Sequence, residues 1–381
     1  MAELGVLQVG KFYPPDEGGM ETHLEGLCRH LRGRARVEVL VAGRSRRTIR
    51  EMADGVPVTR VGTLATIRSA PICPELPGLI RRSPADIVHL HHPNPSAFLS
   101  YLVSGHRGRL VVTYHSDVVQ QRVLNVVYEP IVRAVLRRAD AIIVSSQEYL
   151  DTSPMLERYR ARCTVIPMAI DPARFAAADP VAVADLHRRF GNRIVLAVGR
   201  LVYYKGLEFL VRAMTRVDGH AVIVGQGPMA DFIRDEARAL GVADRVTLVG
   251  HVADTVPYYH AARVFALPSH LRSEAFGIVQ LEAMSAGRPV VNARIPSGVP
   301  GVSVDGETGL TVPPGDPAAL AGALNRLLDD PTLADRLGAA GRRRVAERYT
   351  LDGMTERTLA LYASILASEP RRAARRIRVG A

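Results

Sequence analysis

The chain has no tryptophan, and aromatic residues make up only 5% of it. A stacking platform for single-stranded nucleic acid needs more rings than that. Cysteine is equally scarce. Cys28, Cys73 and Cys163 stand far apart, with no Cys-x-x-Cys. That argues against a disulfide framework or a zinc site and for a reducing compartment. No apolar run approaches the roughly 20 residues of a membrane span. Strand-like sequence begins directly after Glu3 with no basic leader, so no signal peptide is expected. The expected location is cytoplasmic, with any membrane contact peripheral, at the inner face. Lysine is the most telling shortage. Of 49 Lys plus Arg residues, only Lys11 and Lys205 are lysines. A chain that writes nearly every cation as arginine yet places lysine there points to a need for a compact, flexible charge.

What is present is a soluble α/β profile. The 381 residues are 47% hydrophobic, enough for two domains. The formal net charge of +11 fits either an arginine-rich solvated surface or an anionic partner. The arginines are spread along the whole chain, which favours the surface.

Short apolar runs alternate with amphipathic segments. Leu4–Val9, Val37–Val41, Ile87–Leu90, Leu110–Thr113 and Ala141–Val144 read as strands, with helices at Met20–Leu31 and Val123–Arg138. Pro130 is a candidate break or kink in the latter. The pattern pauses at Pro167–Pro172 and over Ala176–Ala184, which is small and weakly patterned. It resumes at Ile194–Val198, Ala221–Val224, Val246–Val249, Val264–Leu267 and Val290–Val291. Helices are expected at Pro317–Leu328, Thr332–Glu347 and Asp352–Leu366. This alternation predicts two doubly wound domains with a cleft between the carboxyl ends of their sheets. The divisions expected are 1–170, 171–355 and a C-terminal helix with a basic tail at 356–381. The run from Arg371 to Arg378 reads as a frayed, solvated end.

Two segments carry the chemistry. Gly199-Arg200-Leu201-Val202-Tyr203-Tyr204-Lys205-Gly206 places two cations at a strand's carboxyl edge. Arg forks two phosphate oxygens and Lys adds a mobile charge. Either cation alone reads as a solvated loop. Glu274 and Glu282 lie in Ser273–Ala283, where the amides of Phe276, Gly277 and Ile278 open a helix able to take a diphosphate. Carboxylates accept paired hydrogen bonds from vicinal diols, although two Glu eight residues apart are also common as a cap and a surface residue. Gly18-Gly19 follows the first strand and admits an anion or merely a turn. His115 ends another strand. His89, His91 and His92 tempt a metal reading, since i and i+2 share a strand face. Pro93 follows and no carboxylate stands near, so pocket lining or hydrogen bonding to backbone is expected.

Gly199-Arg200…Lys205-Gly206, Val224-Gly225-Gln226-Gly227-Pro228 and Glu274-x7-Glu282 occur in order, each at a strand end, and Glu282-Ala-Met-Ser-Ala-Gly-Arg-Pro-Val-Val291 follows. Together they resemble the retaining glycosyltransferases of family 4, which have the GT-B fold: two Rossmann-like domains facing across a cleft, with C-terminal helices packing back toward the first. The resemblance runs over nearly the whole chain and is weakest at Ile49–Ser83 and after Ala367. It implies that Arg200 and Lys205 bind the donor diphosphate, that Glu274 contacts the transferred sugar, and that Glu282 holds the ribose. It also implies that His251-Val252 lines the base, that Gly18-Gly19 lies by the donor diphosphate and acceptor, and that His115 sits beside the anomeric carbon.

The implied activity is hexose transfer from a nucleoside-diphosphate sugar, with no metal and no cofactor beyond the donor. Thr113–Asp117 with Asn292–Pro300 resembles bacterial mannosyltransferases of surface-polysaccharide assembly, so GDP-mannose is the first choice. UDP-glucose and UDP-N-acetylglucosamine remain open, as do lipid-linked and soluble acceptors. A GT-B epimerase would release free nucleotide without an acceptor. A phosphorylase-like enzyme would need a lysine for pyridoxal phosphate, and Lys11 is poorly placed for that. A nucleic-acid binder would leave the Arg200, Lys205, Glu274 and Glu282 arrangement unexplained. Val123–Arg138, with Val126, Val127, Ile131, Val132, Val135 and Leu136 beside Arg122, Arg133, Arg137 and Arg138, suits a sheet-packed helix better than a helix lying on an anionic bilayer.

Overall fold

The structure is a computed structural model and describes residues 3–16, 18–67, 70–117 and 122–369, without the side chains of 122–127. The tail read as a frayed end lies outside the described residues. In the first half, strands β1 (Gly5–Val9), β2 (Arg36–Ala42), β3 (Ile49–Ala53), β4 (Val56–Val61), β5 (Ala65–Ile67), β6 (Ala70–Ile72), β7 (Ile87–His92), β8 (Arg109–Tyr114), β9 (Ala141–Val144) and β10 (Cys163–Val165) accompany helices α1 (Gly19–Leu31), α2 (Leu76–Arg82), α3 (Pro95–Ser104), α4 (Arg122–Arg138) and α5 (Gln147–Thr152). The second half has α6 (Pro180–Phe190), β11 (Ile194–Val198), α7 (Leu207–Ala213), β12 (His220–Val224), α8 (Ala230–Ala239), β13 (Val246–Gly250), α9 (Val256–Ala261), β14 (Val264–Leu267), α10 (Val279–Ser285), β15 (Val290–Ala293), α11 (Val299–Val302), β16 (Gly309–Val312), α12 (Pro317–Asp329), α13 (Pro331–Arg348) and α14 (Leu351–Ala367).

The first sheet runs β10-β9-β8-β7-β1-β2-β4-β3 and is parallel except for β3, which pairs antiparallel with β4. The second runs β13-β12-β11-β14-β15-β16, parallel throughout. Runs such as Gly5–Val9 and Ala141–Val144 are buried at every position because helices cover both faces. In each sheet the winding reverses once, between β1 and β7 and between β11 and β14. Ligands of open α/β sheets bind outside the carboxyl ends at such reversals. The fold is GT-B.

The chain crosses between the sheets near Ile170 and returns near Thr350. The crossings are tied to each other, with the Ile170 amide donating to the Tyr349 carbonyl at 3.0 Å and the Leu351 amide to the Ile170 carbonyl at 3.2 Å. α14 then lies on α1, and its Leu351, Met354, Tyr362 and Ile365 join Val6, Leu24, Leu27 and Val39 in one core. The division expected after residue 355 falls inside this helix.

Two local readings are corrected. Ala176–Ala184 is not featureless: α6 begins at Pro180, and the Asp179 carboxylate accepts from the Val181 amide at 2.9 Å. Asp then Pro is a helix-start signal. Pro130 does not break α4, which is one element from Arg122 to Arg138. Its Val132, Val135 and Leu136 are buried in the first core, so this part of the apolar stripe packs on the sheet. Among the described residues no helix is long and apolar enough to cross a membrane.

Candidate active site

β11 ends at the reversal of the second sheet and delivers Gly199, Arg200 and Lys205 to one depression with Pro268. Gly206 turns the chain there with φ +64°, and a Cβ on it would lie 2.2 Å from the Pro268 carbonyl oxygen. Only glycine brings the loops after β11 and β14 so close. The consequence is that Lys205 Nζ meets Glu274 Oε2 at 2.6 Å, and the Ser269 hydroxyl donates to the same oxygen at 3.0 Å. Burial works against the Lys205 ammonium, but Glu274, together with Tyr204 and Glu282, outweighs it and holds the pKa above its ordinary value. Lys205, expected at the phosphate, and Glu274, expected at the sugar, are ion-pair partners in this structure.

Gly277 has φ +71°, and a Cβ would meet Leu267 Cδ2 at 2.7 Å and Gln280 Nε2 at 3.0 Å. The turn lets the chain enter α10, whose N-terminus, after Ile278, carries no side-chain cap. Phe276 is 3% exposed and its ring packs on Tyr349, so only its backbone can serve a ligand. Glu282, in the first turn of α10, accepts a 2.6 Å hydrogen bond from Tyr259. Burial raises the Glu282 pKa, opposed by Tyr259, Arg174 and Lys205. His251 and Val252 follow β13. Val252 is half-buried against the second core.

The facing wall comes from the first sheet's reversal. Gly19 opens α1, and a Cβ there would sit 3.8 Å from Ile278 Cγ2, so the two predicted loops touch across the cleft. Gly18 caps the same helix without a side-chain bond. Lys11, just beyond β1, was missed as a site residue, although its rarity was a signal. Burial lowers its pKa, Glu21 opposes this, and Arg200 on the other wall lowers it further. Lys11, Arg200 and Lys205 thus bring positive charge to one place from both domains.

An ion pair spans the same cleft. Arg272, two residues before Glu274, meets Asp117, two after His115, at 2.9 Å. It also donates to the Thr152 carbonyl at 2.6 Å and lies over the Tyr149 ring. Tyr114 donates to Asp117 at 2.7 Å. Sequence spacing could not have paired these residues.

Two of the three strand histidines bond differently from expectation. His89 lies between the Tyr362 hydroxyl at 2.6 Å and the Thr113 hydroxyl at 2.7 Å, and His91 reaches Gln8 at 2.9 Å and His115 at 3.1 Å. His92 stacks on Tyr114 with centroids 4.2 Å apart. His89 and His91 thus bond to side chains, whereas His92 hydrogen-bonds to the Ser116 backbone. The triple His89-His91-His92 is not a cluster of ligands, but His23, His91 and His115 each bring a nitrogen within 4.8 Å of the others.

Burial lowers His23 to about 4 and His89 and His92 to about 3, and it depresses His91 and His115 well below the usual value. Folded pKa values lie below unfolded ones, so protons prefer the unfolded chain. Stability is complete above pH 6.5 and falls as pH drops toward 4. Each such histidine removes up to about 1.4 kcal/mol per pH unit. Urea titrations at pH 7.5, 6.5 and 5.5 should show this loss, with a shallower dependence in His89→Gln. Equal midpoints across the range would contradict it.

The architecture and the charged cleft define a GT-B glycosyltransferase. The family model "Glycosyltransferase Family 4" matches residues 17–174, and "Glycosyl transferases group 1" matches 184–344. The chain is 36% identical to a D-rhamnosyltransferase of Pseudomonas aeruginosa, covering 70% of each. It is 35% identical to O-antigen chain mannosyltransferase C of Escherichia coli, covering 74% of this chain and 76% of that one. It is 31% identical to a GDP-mannose-dependent alpha-(1-6)-phosphatidylinositol monomannoside mannosyltransferase of Mycolicibacterium smegmatis, covering 93% and 95%. The solved sucrose-phosphate synthase of Thermosynechococcus elongatus superposes with a TM-score of 0.79 at 25% identity, over 95% of this chain and 99% of that one. The chain belongs to the family 4 glycosyltransferases and resembles the bacterial mannosyltransferases among them.

Proposed function

We propose that the protein is a retaining hexosyltransferase that moves mannose from GDP-mannose to a saccharide or lipid-linked saccharide. The observation that carries this reading is the convergence of Lys11, Arg200 and Lys205 with Glu274 and Glu282 at two facing sheet reversals. Cations there stabilise the charge that builds on a departing diphosphate. The carboxylates bind hydroxyls: Glu274 those of the sugar, Glu282 those of the ribose. They are not the nucleophile and acid/base pair of a retaining hydrolase. The acceptor attacks from the face the diphosphate leaves, and a phosphate oxygen takes its proton. Closure around the Asp117–Arg272 pair aligns donor with acceptor and excludes water.

Mannose is favoured by two relatives named as mannosyltransferases, one of them GDP-mannose-dependent over nearly the full length. The rhamnosyltransferase relative makes the donor screen necessary. The test follows nucleotide release from GDP-mannose, GDP-rhamnose, UDP-glucose and UDP-N-acetylglucosamine, with and without lipid-linked saccharides. Acceptor-dependent release of GDP from GDP-mannose is expected. Release with a UDP-sugar and a soluble acceptor would overturn the donor and acceptor assignment. Release of free nucleotide needing no acceptor would indicate an epimerase.

The reaction proposed needs no metal and no cofactor, because fixed cations serve the diphosphate. Activity is expected to be unchanged in excess chelator. A loss restored by one divalent ion would contradict the leaving-group chemistry.

A further inference from the structure

Gln8 in β1 and His89, His91 and His92 in β7 interrupt two otherwise apolar central strands, and the Gln8 hydrogen bonds have a direction. The Gln8 amide nitrogen donates to the Tyr362 hydroxyl at 3.1 Å, which turns its carbonyl oxygen toward His91 Nε2 at 2.9 Å. A carbonyl only accepts, so His91 carries its proton on Nε2. A neutral imidazole holds one such proton, so His91 Nδ1 is a bare lone pair. Facing it at 3.1 Å is His115 Nε2, which must supply the hydrogen. His115 Nδ1 is then the bare nitrogen, and it is buried without a protein partner in a residue 5% exposed. Continued to the far side, the same polarity has Tyr362, which accepts from Gln8, donate to His89 Nδ1, and His89 Nε2–H donate to Thr113.

The same geometry weighs against a metal between His91 and His115. The ring centroids are 5.4 Å apart, the planes differ by 17°, and the nitrogens are 3.1 Å apart. The nitrogens lie between the ring centres, so the lone-pair directions point at each other. An ion bound in line at about 2.0–2.1 Å from each nitrogen needs about 4 Å between them. Burial keeps both rings neutral, as the relay requires.

We infer that Gln8 and His91 are positioning residues for the transfer reaction, holding His115 as its Nε2–H tautomer so that Nδ1 accepts a hydrogen bond from a hydroxyl of the transferred sugar. This rests on the proposed sugar transfer and on the resemblance that places His115 beside the anomeric carbon. α14 thereby takes part in the site without approaching it, since Tyr362 orients the Gln8 amide that starts the relay. An unpartnered buried acceptor is costly until a ligand satisfies it, which directs that cost toward sugar binding.

The test separates the relay from the sugar contact. Two-bond proton–nitrogen spectra of the histidine-labelled protein read the tautomer without substrate, and the His115→Ala spectrum assigns the signal. His115 is expected as Nε2–H in the wild type and as a mixture in His91→Leu. In His91→Asn the side-chain carbonyl replaces the Nδ1 acceptor and should restore the tautomer. Turnover in His91→Leu should fall about tenfold with little change in KM, and His91→Asn should recover most of that loss. A wild-type Nδ1–H signal, or an unmoved tautomer in folded His91→Leu, overturns the relay whatever the activity. A moved tautomer with wild-type turnover overturns the positioning role. Wild-type turnover in His115→Ala overturns the sugar contact itself.

Discussion

Glu274→Gln is expected to lower sugar transfer by about 10²–10³-fold, the scale of losing one charged transition-state contact. The amide keeps the shape of the carboxylate and can still accept from Ser269. It cannot neutralise Lys205, whose ammonium is 2.6 Å away in the wild type. The side chains are 12% and 10% exposed, so a charge is left without its partner in a largely dry place. Removing one member of such a pair costs about 3–5 kcal/mol. Glu274 therefore carries stability as well as chemistry, contrary to what its loop position implies. A nucleoside diphosphate offers Lys205 a new counter-charge, so its addition should stabilise the variant more than the wild type. Single-turnover transfer and thermal unfolding with and without nucleotide measure both effects. A folded variant with near wild-type turnover would remove Glu274 from the site.

Lys205→Ala is expected to weaken nucleoside diphosphate by about 10–100-fold, the equivalent of about 1.5–3 kcal/mol for a charge-assisted contact. Nucleoside monophosphate should lose much less, because the ammonium is assigned to the diphosphate. The Glu274 carboxylate, left unpaired, adds repulsion to the loss of attraction. The double variant Lys205→Ala/Glu274→Gln should then regain part of the diphosphate affinity without regaining turnover. That non-additivity is the signature of residues in contact. Titration calorimetry with both nucleotides decides it. Equal losses for mono- and diphosphate would take Lys205 out of the diphosphate site.

The sequence by itself determined the two doubly wound units, because apolar runs and helix periodicity are local properties of the chain. It also placed Arg200, Lys205, Glu274 and Glu282 at strand ends, since a loop that follows a parallel strand must emerge at the carboxyl edge. α6 was legible too, in Asp179-Pro180, and was passed over because the residues before and around it are small. Only the tertiary structure decided how these residues meet. Lys205 pairs with Glu274 because β11 and β14 are neighbours at the reversal of their sheet. Lys11 acquires its meaning from Arg200 on the opposite domain. The Asp117–Arg272 pair exists only where the two sheets face each other. Gln8 and Tyr362 are 354 residues apart and touch because α14 crosses back onto the first domain. Proton direction at His115 is set by that long-range contact, which depends on strand order and helix return, and no local pattern in the chain encodes either.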